Sequence, residues 1–297
     1  MDDRAGAQGA ARSPRRGLGA VDWSIVRRGI LPALSIGGAL VFARAFSVPG
    51  PGFDFFAYWS VDPAHPYATF EGFGAFRYAP PLVWIAGPLR LLPFEVAYWF
   101  WFAGMFAVLV ALTRRWALAW LIFPPVTSEL FHGNVHLFLA GALVWGFRWP
   151  ALWAFLPLAK VTTALPLLWA AVRLDRRLIA VVGVIAVVGV ATEIVLPGAW
   201  SSWIARLLEP SQARLVDGGG AQFAVPLLPR LVAAVAIVLW AAATGRRWPL
   251  AIVLVLSLPQ LWFHGISMLV AIPALVRQER RSGDPTRTRL RIPIRSA

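Results

Sequence analysis

Residues 178–197 read Leu-Ile-Ala-Val-Val-Gly-Val-Ile-Ala-Val-Val-Gly-Val-Ala-Thr-Glu-Ile-Val-Leu-Pro, directly after the basic cluster Arg173, Arg176 and Arg177. A helix needs about 20 apolar residues to cross the hydrocarbon of a bilayer. This run supplies them, and the arginines at its start predict which end is held on the cytoplasmic side. Working outward, further apolar runs lie near 29–47, 79–93, 94–113, 116–130, 133–148, 150–172, 229–244, 248–262 and 264–277. The expected fold is therefore an all-α polytopic membrane bundle of about ten transmembrane helices. Pro80, Pro81, Pro88 and Pro93 chop the run at 79–93, and Pro124-Pro125 breaks the one at 116–130. Such breaks are tolerated where neighbouring helices or a water-filled cavity satisfy the freed backbone groups.

Composition supports this class. The chain has 297 residues, 59% of them hydrophobic and only 14% charged, outside the usual soluble range. Its 16 tryptophans suit helix ends at headgroup level. There is no cysteine, so disulfides and thiolate metal sites are excluded. The net charge of +14 comes from arginine pairs and the two termini rather than from one basic stripe, which argues against nucleic acid as a partner. Lys160 is the only lysine, and the Arg-, Ala- and Gly-rich composition points to a bacterial source.

We expect residues 1–28 to be a disordered basic cytoplasmic tail rather than a cleavable signal, 29–277 the membrane-embedded domain, and 278–297 a second basic cytoplasmic tail. The positive-inside rule places Arg27-Arg28, the Arg173 cluster, Arg246-Arg247 and the tail from Arg277 in the cytoplasm. Loops 48–78 and 198–228 then face outward. On this count Arg114-Arg115 also falls outside, against the rule.

Polar chemistry gathers in the first outer loop. Asp54 lies in Gly52-Phe53-Asp54-Phe55-Phe56-Ala57-Tyr58-Trp59, and Asp62, His65, Tyr67, Glu71, Arg77 and Tyr78 follow. A carboxylate at the membrane edge can act as general base on a sugar hydroxyl; the plainer reading is a solvated loop with a few charges. Arg77 can pair with a lipid phosphate or merely snorkel to the interface. Within the apolar spans, ionisable groups are functional candidates by default. Lys160 sits mid-span and wants a phosphate, or else a structural partner such as Glu129 or Glu193. His132 and His136 are four residues apart, sharing a helix face if helical. Without Cys or a His-Glu-x-x-His motif they make a poor zinc site, so we expect no metal and no cofactor. His264 interrupts the last apolar stretch, where a lone histidine is more often packed than catalytic.

Taken in order, Gly52-Phe-Asp54-Phe-Phe-Ala-Tyr58, Pro66-Tyr67, Phe76-Arg77-Tyr78-Ala-Pro80-Pro81, Gly133-Asn134, Lys160 and Trp262-Phe-His264 resemble glycosyltransferase family 87. The resemblance covers roughly residues 30–277. It implies a GT-C-like fold in the plasma membrane, with transfer of a hexose, mannose in this family, from a polyprenyl-phosphate sugar donor to a lipid or glycan acceptor outside the cytoplasm. It further implies Asp54 as the base, His264 at the donor phosphate, and no required metal; from the cost of charge in hydrocarbon we expect Lys160, and Arg77 at the interface, to join His264 there. Tyr58, Tyr67, Tyr78, Asn134 and His132 are then candidate substrate contacts. The chain is shorter than typical members and has Asn134 where Gln is common. The competing classes are a carrier or flippase for a polyprenyl-linked molecule, which needs no base, and a non-catalytic membrane scaffold. No internal repeat of the kind carriers often show is visible.

Overall fold

The structure is a computed structural model that describes residues 50–68, 72–208, 223 and 225–282, with isolated positions 29, 32 and 36. The expected span at 29–47, the N-terminal tail and most of the C-terminal tail lie outside the described residues. Within them the chain is helical, with no β-strand. The helix Ala271–Ser282 runs into the region expected to be tail. Three helices are long and apolar enough to cross a membrane: Phe94–Trp120, Arg177–Val195 and Leu227–Thr244. The segments Leu82–Leu91, His136–Trp145, Pro150–Ala159 and Val161–Val172 are apolar but shorter. On Arg177–Val195 the outward side chains, Ile179, Val187 and Ile194 among them, are exposed and apolar. Such a surface is stable against hydrocarbon rather than water.

Hydrogen bonds sort the chain between two ends. At one end the Arg277 guanidinium donates to the Leu112 carbonyl, and Gln278 Nε2 donates to Val144 O at 3.1 Å. Arg173 donates to Ala242 O at 2.7 Å, and Glu279 accepts the backbone N–H groups of Arg247 and Trp248. Arg247 also lies over the Phe147 ring. This end therefore gathers Arg114, Arg173, Arg246, Arg247 and Arg277. At the other end lie the helix Phe53–Trp59, the break at Gly133, Lys160 and His264.

Three hairpins rise from the arginine end and turn back. The first climbs through Pro124–His132, turns at Gly133-Asn134 and returns along His136–Trp145. In the second, Trp153 and Trp169 both pack on Phe147, with ring centroids 4.9 and 5.4 Å away, so residues 150–172 go up and come back. Lys160 is at the tip, in extended backbone between the helix Phe155–Ala159 and the 3-10 segment Val161–Leu167. The third climbs through Pro249–Leu256 and returns along Phe263–Ser282, with His264 near its tip.

Three expectations change. Residues 150–172 are not one span but a hairpin. Residues 79–93 do not run between the ends: their prolines leave a helix Leu82–Ala86 and a 3-10 turn Gly87–Leu91. That segment is tied to the first loop by Trp59 Nε1 to Leu92 O at 2.9 Å and Arg90 to Val61 O at 3.0 Å. Removing that pass reverses Phe94–Thr113, so Arg114-Arg115 joins the other arginines and its conflict with the charge rule disappears.

The lack of cysteine makes this arrangement directly measurable. Single cysteines placed at Arg115, Arg176 and Gly72 in membrane vesicles should divide into two classes toward a membrane-impermeant maleimide. Positions 115 and 176 should label together and 72 oppositely; shared reactivity of 115 with 72 would refute the fold path.

Candidate functional site

Two glycines set the position of Asp54. Gly52 and Gly133 both adopt left-handed backbone, φ 76° and 77°, which other residues resist. Gly52 N–H donates to Phe131 O at 2.8 Å, linking the start of Phe53–Trp59 to the end of Pro124–His132. A Cβ at Gly133 would lie 2.7 Å from Phe55 Cβ, and one at Gly52 would lie 2.8 Å from the Phe94 ring. The two segments therefore meet without a side chain between them, and Asn134 is brought against Asp54.

Asn134 Nδ2 donates to Asp54 Oδ2 at 3.0 Å. The Asn134 Oδ1 accepts the Val135 N–H at 2.8 Å and the Tyr78 hydroxyl at 3.2 Å. Tyr58 and Tyr78 hydroxyls are 2.5 Å apart, and Tyr67 donates to the Tyr78 carbonyl at 2.9 Å. Tyr67 thus works one layer back, as a prop for Tyr78. His264 Nε2 approaches the same Asp54 Oδ2 at 3.3 Å. That is within ion-pair reach, yet the atom lacks an aligned hydrogen bond although His264 is 8% exposed. The Asp54 side chain, at 23%, keeps its opening to the outside.

Behind this pair lies a second polar group. Glu129, fully buried, accepts from His136 N–H at 2.7 Å and from His136 Nδ1 at 2.8 Å. His136 Nε2 is 3.0 Å from Lys160 Nζ, and the ammonium faces the Tyr78 ring at 5.5 Å. Lys160 is therefore reached by Glu129 only through an imidazole, and Glu193 instead binds Gly198 N–H at 2.8 Å. His132 and His136 do not share a helix face, because Gly133 breaks the helix between them. Both rings nonetheless approach His264, at 5.5 and 5.2 Å between centroids. His132 Nδ1 is held by Ser128 O at 2.8 Å.

Glu129, His136 and His264 offer ligand atoms within 4.8 Å of one another. A metal would nevertheless compete with the Lys160 ammonium for His136 Nε2 and meet its charge at close range. The donor set fits the lysine ammonium better than a metal ion.

His264 owes its place to a residue whose role the sequence did not signal. Arg230, 5% exposed, has no carboxylate partner among the described residues and donates to the carbonyls of Val225, Leu256, Leu258 and Pro259 at 2.7–3.1 Å. It satisfies the end of Pro249–Leu256 and fixes the turn that carries His264. Arg77 is exposed at the rim, and its carbonyl receives the Trp203 indole N–H at 3.5 Å. Asp62 is a turn residue: the Ala64 N–H at 3.1 Å, then His65, hold its carboxyl below the ordinary range, with Arg90 3.6 Å away.

Beside the tyrosines is an apolar cavity of about 320 Å³, lined by Tyr58, Leu82, Trp101, Val135, Phe138 and Phe155 among others. Tyr58 belongs to both the cavity wall and the Asn134 network, so the cavity ends one side chain from Asp54.

The contact at Gly133 sets a stability test. Gly133→Ala forces a strained backbone and a clash with Phe55, and should cost about 1–3 kcal/mol, read as a lower thermal midpoint of the purified protein. A midpoint equal to wild type would remove the close approach from the account.

Comparison of the chain with protein-family models, curated proteins and solved structures found no match.

Proposed function

We propose that this chain is a membrane glycosyltransferase of GT-C-like architecture, moving a hexose, mannose by the family resemblance, from a polyprenyl-phosphate donor to a lipid or glycan acceptor. The observation that carries the reading is the Asp54 carboxylate, whose Oδ2 accepts from Asn134 and lies within ion-pair reach of His264 while the side chain stays open to the outer loop. A base needs an oxygen that can reach the hydroxyl it deprotonates, and these two contacts engage Oδ2, which leaves Oδ1 for that role. The arginine end faces the cytoplasm of a multi-pass plasma-membrane protein, so the site faces outward.

In the reaction the acceptor oxygen attacks the anomeric carbon from the face opposite the phosphate. A carbon–oxygen bond forms to the acceptor, the bond to the phosphate oxygen breaks, and the hydroxyl proton passes to Asp54. Configuration inverts, so a β-linked donor gives an α-linked product. The leaving polyprenyl phosphate is already ionised and needs charge stabilisation rather than a proton. His264 and Lys160 provide it from within, Arg77 from the rim. Tyr58, Tyr78 and Asn134 keep Asp54 oriented, His132 backs His264, and the apolar cavity takes up part of the lipid chain.

Asp54→Asn preserves shape but cannot accept a proton, and should lower transfer about 10²–10⁴-fold with donor binding retained. Asp62→Asn, altering only an exposed turn, should be much milder. The assay follows mannose from polyprenyl-phosphate-mannose into membrane glycolipid in vesicles carrying each variant. Near-normal transfer by Asp54→Asn would remove the mechanism, and a wild type inactive toward every acceptor lipid would overturn the transferase reading.

A further inference from the structure

We propose that Glu129 and His136 form a buried relay that aims the Lys160 ammonium at an anionic headgroup, making both of them positioning residues of the phosphate subsite. This rests on the glycosyltransferase reading for the identity of the anion, a lipid phosphate.

The hydrogen bonds give the relay a direction. Glu129 accepts at both oxygens, Oε1 from the His136 backbone and Oε2 from Nδ1, so the imidazole proton is on Nδ1. Nε2 then presents a lone pair, and Lys160 Nζ donates to it at 3.0 Å. A direct Glu–Lys pair would use the ammonium's charge where it stands. Inserting an imidazole moves the carboxylate one ring away, which still compensates the half-buried cation but leaves its outer face for another anion. Lys160 is only half-buried, and its ammonium lies 5.5 Å from the centroid of the Tyr78 ring, whose hydroxyl belongs to the layer that holds Asp54. The His264 ring is 5.2 Å from that of His136, and its Nε2 lacks an aligned hydrogen-bond partner. Two nitrogen groups on different hairpins thus converge on the Asp54 opening. Replacing a buried ion pair by apolar packing of similar volume is often neutral or stabilising, so such a chain is weak evidence of a stabilising role.

Glu129→Gln tests the relay with little change of shape. Its amide oxygen must accept the His136 N–H, which leaves the amide nitrogen facing Nδ1. The imidazole proton shifts to Nε2, and the imidazole then confronts the ammonium donor to donor. His136→Gln behaves differently, because an amide offers one donor and one acceptor and can restore the chain.

The probes are farnesyl phosphate and uncharged farnesol, with affinities measured in nanodiscs of zwitterionic lipid and folding checked by thermal unfolding. Wild type should prefer the phosphate, and Lys160→Met should abolish the preference. Glu129→Gln should weaken farnesyl phosphate about tenfold, the scale of one charge-assisted hydrogen bond, and leave farnesol unchanged. In the Lys160→Met background it should have no further effect. A folded Glu129→Gln with intact preference, or the same loss in both backgrounds, overturns the relay. Should Glu129→Gln fail to fold, His136→Gln and His136→Leu decide: the amide should keep the preference and leucine lose it, and equal preference in both refutes the proposal. A wild type that binds both probes alike ends the donor-phosphate reading, and the relay's assigned role with it.

Discussion

A carboxylate with no access to water must find donors inside the protein, and Glu129 finds both of its donors on one residue. The first turn of His136–Trp145 leaves N–H groups without intrahelical partners, and Glu129 takes one of them. Asn134 satisfies the neighbouring Val135 N–H. The break at Gly133 is therefore held by two side chains that also reach outward, one to Lys160 through an imidazole and the other to Asp54. Hairpin turn, helix start and site chemistry share the same few hydrogen bonds. A change at any one of them propagates to the rest.

The same economy governs the third hairpin. Three carbonyls of the turn before His264, together with that of Val225, are gathered by one guanidinium. Broken helices at membrane depth survive only where such groups are satisfied. Here the satisfaction comes from a basic side chain on the adjacent long helix Leu227–Thr244. The polar cluster is thus supported from outside itself, by an arginine that reaches backbone carbonyls rather than Asp54.

Much of the site was legible because polar residues are rare in this chain. Asp54, Asn134, Lys160 and His264 stand out against hydrocarbon, and the structure brings them together. Helical class and the long runs at 94–113, 178–197 and 229–244 were equally plain, since twenty apolar residues leave little choice. The direction of the shorter runs was not legible. Hydropathy records that 150–172 is apolar, but it carries no sign of a reversal at Lys160, where one extended residue turns the chain. Reading the prolines of 79–93 as a broken span rather than a surface turn then inverted every later crossing as far as that hairpin. His132 and His136 looked like neighbours on a helix because Gly133 was weighed as a residue rather than as a left-handed turn. Arg230 gave no sign, since an arginine near a helix start suggests an interfacial charge before it suggests a staple for distant carbonyls.

The hairpins also bear on how the protein is made. A helix as short as His136–Trp145 or Phe155–Ala159 cannot partition into a bilayer alone, and each carries a polar residue at its upper end. These segments can be buried only after Phe94–Thr113 and its long companions offer a protein wall to lie against. Biogenesis is consequently ordered: the long helices integrate by their own hydrophobicity, and the hairpins enter late, as pairs, into a groove already formed. The candidate site is assembled in that last step, because Asn134, Lys160 and His264 all lie on the hairpins.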